Sequence, residues 1–237
     1  MAELMEEAPA LVLAVYAHPD DPEVSCGGSL ARWARAGSAV HVVIATRGDK
    51  GSTDGAVNGE ALTRRRADEV SAAATVLGLA SVEQLGHPDG ELAAVPSLVG
   101  QLVGVVRRLR PDVVVGVDPT AVFFGDSYVN HVDHRCVGWA TLDAVAPAAS
   151  SPLYFPEEGA PHQVATVLLS GTLEPDVWVD VGSGLGAKVR AMFCHRSQLA
   201  DDAEAWLGDF VRQRAAEEGR RAGVRYAECF RRVRLVH

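Results

Sequence analysis

Apolar, β-branched runs recur at residues 11–16, 40–45, 82–85, 113–117, 164–169 and 177–181, and helical patterns fill most of the gaps between them. That alternation is the strongest constraint on the fold. A strand that reads as a near-continuous apolar run is covered on both faces. Such strands, joined by helix-length connections, build a parallel sheet with helices on its two sides. The helical patterns lie at 29–36, 60–79, 96–109 and 132–146, with two more at 185–199 and 203–218, and residues 224–236 read as a last strand. The expected architecture is a Rossmann-like α/β fold, a mostly parallel sheet flanked by helices, with residues 1–237 forming a single domain. A chain of 237 residues that is 48% hydrophobic can bury the core this requires.

In open α/β sheets, ligands bind beyond the carboxyl ends of the strands. His18, Asp20 and Asp21 fall just past the first run, Thr46 and Arg47 past the second, and Asp118 past the fourth. The irregular stretches 48–59 and 147–162 are rich in Gly, Ser or Pro and are expected to border the site.

The first strand end carries His18-Pro19-Asp20-Asp21-Pro22, and a second cluster, His131-Val132-Asp133-His134, follows far along the chain. A hydrolytic zinc site uses neutral imidazoles and a carboxylate and keeps one position for water. His18, Asp21 and one of the two later histidines make such a set. Asp20 then lies beside the open position, where a general base belongs.

The run Ala17-His18-Pro19-Asp20-Asp21-Pro22-Glu23, with Gly27-Gly28 after it, resembles the signature of the LmbE-like, or PIG-L, zinc-dependent de-N-acetylases. Further segments extend the resemblance over most of the chain: Thr46-Arg47-Gly48-Asp49-Lys50-Gly51, Arg66-Ala67-Asp68-Glu69 with Leu77-Gly78, His131-Val132-Asp133-His134, His195-Arg196-Ser197-Gln198, and Tyr226-Ala227-Glu228-Cys229-Phe230. The resemblance implies one Zn2+ per chain on His18, Asp21 and His134, with Asp20 as base; other divalent metals such as iron or cobalt are alternatives at such a site. It implies His131 as a second catalytic group oriented by Asp133, and Arg66 as a substrate contact. Arg47, Asp118 and His195 complete the expected substrate-binding set. The implied reaction is removal of an acetyl group from a GlcNAc-containing small molecule. Pro22 between the Asp pair and Glu23 departs from many members and points toward deacetylases of thiol-cofactor precursors. Natural-product deacetylation and a non-catalytic metal-binding role are the alternatives.

Each residue also has a plainer reading. Gly27-Gly28 suits tight packing as well as ligand approach. Arg66 sits in a run of three arginines, which ordinarily marks a solvated helix face. His87-Pro88-Asp89-Gly90 copies the first motif without its second Asp and reads as a surface turn. Cys26 reads as a packed small residue, and His41 as a structural one inside a strand.

A net charge of −9 gives no basic field for nucleic acid or anionic lipid. The expected partner is a small amino-sugar substrate, with neither nucleic acid nor membrane, and with room for a homo-oligomer. The acidic start, Glu3, Glu6 and Glu7, is unlike a signal peptide. The 4 cysteines form no C-x-x-C pair and are expected to be reduced thiols in a cytoplasmic protein.

Overall fold

The computed structural model describes residues 2–235; Met1, Val236 and His237 lie outside the described residues. In chain order the elements are β1 (Glu3–Leu4), β2 (Leu11–Tyr16), α1 (Asp21–Arg35), β3 (Ala39–Thr46), α2 (Gly59–Leu77), β4 (Ser81–His87), α3 (Pro96–Leu109) and β5 (Val113–Val117). A small hairpin of β6 (Phe123–Phe124) and β7 (Tyr128–Val129) comes next, then α4 (Val132–Asp143), β8 (Thr166–Ser170), β9 (Val177–Asp180), α5 (Leu185–Met192), α6 (Ala203–Ala222) and β10 (Ala227–Arg234).

The main sheet runs β1-β9-β10-β8-β5-β2-β3-β4. Its pairs are parallel except where β10 lies antiparallel between β8 and β9. Burial follows position. Residues 12–16 of the central strand β2 are at most 1% exposed, while β4 at the edge has only exposed and half-buried residues. From β2 the chain moves to β3 and β4 on one side, and β5 returns on the other. The loops leaving β2 and β5 therefore part from each other, which opens a crevice at the strand ends.

Helix boundaries follow local chemistry. Asn58 caps α2 by accepting the N–H groups of Glu60 and Ala61, and Gly78, at φ 76°, closes it in the left-handed region. The expected helix at 29–36 is only the second half of α1, which begins at Asp21 and breaks at Cys26 (φ −143°). Pro22 and the glycine pair hide the first half in the sequence. A buried ion pair holds the break. Glu228 accepts the N–H groups of Gly28 and Ser29 and the Ser29 hydroxyl, capping the second half. Lys188 donates to Glu228 at 2.7 Å and to the Val24 carbonyl at 2.9 Å, closing the first half. Gly28 is a packing residue: a Cβ there would lie 2.9 Å from Val181 Cβ.

Three further expectations change. The helix expected over 185–199 stops at Met192, and a 3-10 turn, Arg196–Gln198, follows. Glu69 of α2 accepts both the Ser197 N–H and hydroxyl, at 2.7 and 2.6 Å, which draws the chain off the helical path. The helix expected over 132–146 ends at Asp143 and passes into a π-helical turn at Pro147, which cannot continue an α-helix. Loop 147–162 does not border the crevice. It wraps the C-terminal end of α3, where Arg107 donates to the carbonyls of Ala148, Ala149, Ser151, Tyr154, Phe155 and Gly159. His162 bonds the Pro111 carbonyl just before β5, at the opposite edge of the sheet.

Candidate active site

The crevice holds a cavity of about 450 Å³ whose walls include His18, Asp20, Asp21, Arg66, His131 and His134. His18 ends the loop leaving β2, and Asp21 opens α1 one turn later. His134 comes from the first turn of α4, so two distant stretches meet across the crevice. His18 Nδ1 lies 3.1 Å from His134 Nε2 and 3.3 Å from Asp21 Oδ2, and His134 Nε2 lies 3.1 Å from Asp21 Oδ1. Donors around a tetrahedral zinc at ~2.0–2.1 Å sit about 3.3 Å apart, so these atoms fit a zinc-class ion.

Outer groups fix each donor. His134 Nδ1 meets Asn130 Oδ1 at 2.9 Å, leaving Nε2 for the cluster. Asp21 accepts the His18 backbone N–H at 2.7 Å. His18 Nε2 faces Asp89 Oδ1 at 3.2 Å and Asp133 Oδ2 at 3.3 Å. Burial works against a charged His18, but hydrogen bonds to Asp21 and Asp89 outweigh it and push the imidazole up to about 10. Burial acts to raise Asp21, but bonds to His134 and His18 hold it well below the usual carboxylate range.

His18, His131 and Asp133 form a second combination within ligating distance of one another. It fits a metal less well, because its lone pairs are engaged. Asp133 accepts the Gly90 N–H at 2.6 Å and the Leu92 N–H at 3.1 Å, and His131 Nδ1 accepts the Asp133 N–H at 3.2 Å. This also corrects the expected role of Asp133. Its carboxylate is 4.0 Å from His131 Nδ1, too far for a hydrogen bond, and serves His18 and the 90–92 turn instead. His131 is oriented by the backbone N–H of Asp133. With Nδ1 accepting, neutral His131 carries its proton on Nε2. Burial and the neighbouring His18 charge pull its pKa down.

Asp20 stands beside the donor cluster, and Arg66 Nη2 donates to its Oδ1 at 2.6 Å. Arg66 lies on α2, is 2% exposed, and donates from Nη1 to the Gly48 carbonyl. Its guanidinium lies against the loop after β3, where a Cβ on Gly48 or Gly51 would come within 2.4 Å of Nη1. Arg66 therefore does not belong to a solvated helix face. It lines the cavity and gives one N–H to the candidate base and one to the loop.

Three other expected substrate residues lie elsewhere. Arg47 is half-exposed and pairs with Asp49 at 3.4 Å, because the loop after β3 turns it outward. Asp118 folds back on its own turn, accepting the Thr120 N–H and hydroxyl at 2.9 and 2.6 Å. His195, 2% exposed, bonds the buried Glu23 at 3.2 Å behind α1. Glu23, which burial pushes upward, thus sits with His195 behind the cavity. Cys26 is buried between Tyr16 and the helix break, and burial raises its thiol, in keeping with a packed residue. His41 bonds Ser81 across β3 and β4.

Sequence reasoning missed Asp89, Gln198, Lys50 and Asn130. His87-Pro88-Asp89 is a second strand-end turn, and Asp89 is 7% exposed and faces His18. Its likeness to the first motif was the available signal. Gln198 and Lys50 line the cavity, and Lys50 donates to the Asp89 carbonyl at 2.6 Å. Asn130 lies one helical turn before His134, the spacing that puts a supporting amide behind a ligand.

Known proteins resemble this chain over most of its length. The chain is 32% identical over 225 residues to the diacetylchitobiose deacetylase of Thermococcus kodakarensis, covering 94% of this chain and 82% of that one. The 1D-myo-inositol 2-acetamido-2-deoxy-alpha-D-glucopyranoside deacetylase of Rhodococcus jostii is 31% identical, covering 79% and 81%. The structure of the Pyrococcus horikoshii N,N'-diacetylchitobiose deacetylase superposes with a TM-score of 0.86 at 29% identity, covering 95% of this chain and 84% of that one. A 4-carboxy-2-hydroxymuconate hydratase of Pseudomonas putida shares the fold at TM-score 0.76 and 26% identity, covering 96% and 98%. The family described as PIG-L, GlcNAc-PI de-N-acetylase, matches residues 13–145, through both histidine-aspartate motifs. The chain belongs to that family.

Proposed function

We propose that residues 1–237 act as a single-domain, zinc-dependent amide hydrolase that removes the N-acetyl group of a GlcNAc-containing small molecule, releasing acetate and a free amine. The observation that carries this reading is the meeting of His18 Nδ1, Asp21 and His134 Nε2 within 3.1–3.3 Å, with the clamped Asp20 beside them. Those three residues would hold the metal, which supplies Lewis acidity toward the acetyl carbonyl and a more acidic water. Asp20, fixed by Arg66, takes the proton of the attacking water. His131 presents Nε2–H to the oxygen that gains charge. The proton held by Asp20 then passes to the departing amine. Asp89, Lys50 and Gln198 offer hydrogen-bond partners suited to sugar hydroxyls. A cytoplasmic setting belongs to the reading: the described cysteines are free thiols. Among the described residues no helix is long and apolar enough to cross a membrane.

The test is acetate release by zinc-loaded protein from a panel holding N,N'-diacetylchitobiose, GlcNAc-inositol and N-acetylated glycopeptide antibiotics. Chelation should abolish release, and added zinc should restore it. His134→Ala should lose most bound metal. A protein inert on the whole panel but active in hydrating a muconate would move the reading to the hydratase relative.

A further inference from the structure

A second cavity of about 170 Å³ adjoins the donor cluster from the other side. Asp21, His134 and Tyr128 line both cavities, so the metal donors stand at the junction between them. The rest of the second wall comes from Ser25 on α1, Val117 at the end of β5, Phe124 of the hairpin, Asn130, and Ser170-Gly171 at the end of β8.

The two hollows differ in what they can bind. The larger exposes carboxylate, ammonium and carboxamide groups at Asp20, Asp89, Lys50 and Gln198. In the smaller, two of the polar side chains, Ser170 and Asn130, are already paired. The Ser170 hydroxyl donates to the Gly116 carbonyl at 3.0 Å and meets the Tyr16 hydroxyl at 2.9 Å. Asn130 donates to the Ala121 carbonyl and faces His134 Nδ1, both at 2.9 Å. What remains toward this space is Val117, the Phe124 and Tyr128 rings and the Gly171 backbone, with the Ser25 and Tyr128 hydroxyls as its few polar groups. A sugar would replace little of its hydroxyl hydration here, whereas an alkyl chain has none of that kind to lose.

We infer that this cavity receives the acyl chain of the substrate and that the enzyme hydrolyses N-acyl amino sugars with chains longer than acetyl. The inference rests on the proposed amide hydrolysis. Water oxygen bonds to the acyl carbon, the C–N bond breaks, and the carboxylic acid and amine leave. With the sugar in the polar hollow and the carbonyl at the donors, the acyl tail points into the second cavity. An apolar cavity of about 150 Å³ is known to hold benzene, so about 170 Å³ exceeds the need of one methyl group. Each buried methylene is worth roughly fourfold in binding.

The test compares kcat/KM for N-acetyl-, N-propanoyl- and N-butanoylglucosamine, attached to whichever aglycone the acetate-release panel selects, with zinc-loaded enzyme. The expected result is a butanoyl value no more than tenfold below acetyl, with a rise for each added methylene as the favourable limit. A larger fall, with acetyl still hydrolysed, would overturn the inference while leaving the proposed function intact. Failure on all three chains would instead reject the proposed function. Two variants place the chain. Ser25→Leu narrows the cavity and should shift the butanoyl-to-acetyl ratio at least tenfold toward acetyl. Phe124→Ala widens it and should shift the ratio the other way. Opposite shifts cannot come from a general loss of folding, and an unchanged ratio in both variants would put the acyl chain elsewhere.

Discussion

Among the described residues two arginines are buried, and they face opposite fates. Arg107 directs all its donors at six backbone carbonyls of the loop after α4. Arg66 gives one donor to Asp20 and one to the Gly48 carbonyl, and its buried Nε has no partner. A guanidinium satisfied by carbonyls completes a local fold and leaves nothing for a ligand. A guanidinium that meets a carboxylate at an open cavity acts on that carboxylate. Burial of a charge therefore distinguishes the amino edge of the sheet from the carboxyl edge only once its partners are known.

Substitution can break this contrast most sharply at Asp20. Asp20→Asn should keep metal and lose roughly 10²–10⁴ in kcat, the scale of positioned acid-base catalysis. Arg66→Met should lose about tenfold to 10² in kcat with little change in KM, if it works through Asp20. The double variant should then be no slower than Asp20→Asn alone, because the two changes remove one unit. Multiplied losses in steady-state kinetics would return Arg66 to direct substrate contact.

At the other arginine the loss should fall on stability. Arg107→Met leaves several buried carbonyls without a donor, at a cost of ~3 kcal/mol or more, read as a lower urea midpoint. Its kcat per folded molecule should stay near wild type. A large kcat defect there would erase the distinction between the two edges.

Proton release should sharpen the picture of the donor cluster. His18 is raised to about 10 against a usual 6.5, so metal-stripped protein holds its proton at neutral pH. The resulting stabilisation is full below pH 6.5 and is lost as pH rises through about 10. Metal must displace that proton, so zinc binding near pH 7 should release about one proton from His18. Calorimetry in buffers of different ionisation enthalpy would count it, and no release would contradict the bonds to Asp21 and Asp89. The smallest effect is expected at the rim. Arg47→Ala, which removes a half-exposed pair with Asp49, should leave kcat/KM within about twofold and stability within about 0.5 kcal/mol. A tenfold loss would mean that Arg47 reaches the substrate.

Much of the fold was legible because its signals are local. The runs at β2, β3 and β5 are buried on both faces, and their composition alone says so. The turn at His18–Asp21 could be placed at a strand end by the same reasoning, and the His131–His134 spacing suggested a shared helix face. The short strands β1, β6 and β7 have 2 residues each and leave no period to read. The first half of α1 was hidden because Pro22 and the glycine pair look like punctuation until Glu228 and Lys188 arrive from other elements to cap the break.

Residue type and order in this chain determined the class of fold, the strand ends that matter and the chemistry available there. Tertiary structure alone decided which of those side chains meet. Arg47, Asp118 and His195 have the right chemistry and the wrong direction, because a nearby carboxylate, a local turn or a buried glutamate satisfies each first. Asp89 reached the site from a turn that resembled a surface feature, and Arg66 became the partner of the candidate base. The reason is physical. Hydrogen bonds and ion pairs act over about 3 Å, while the residues they join here lie 46 and 116 positions apart, so only packing of the whole sheet sets those distances.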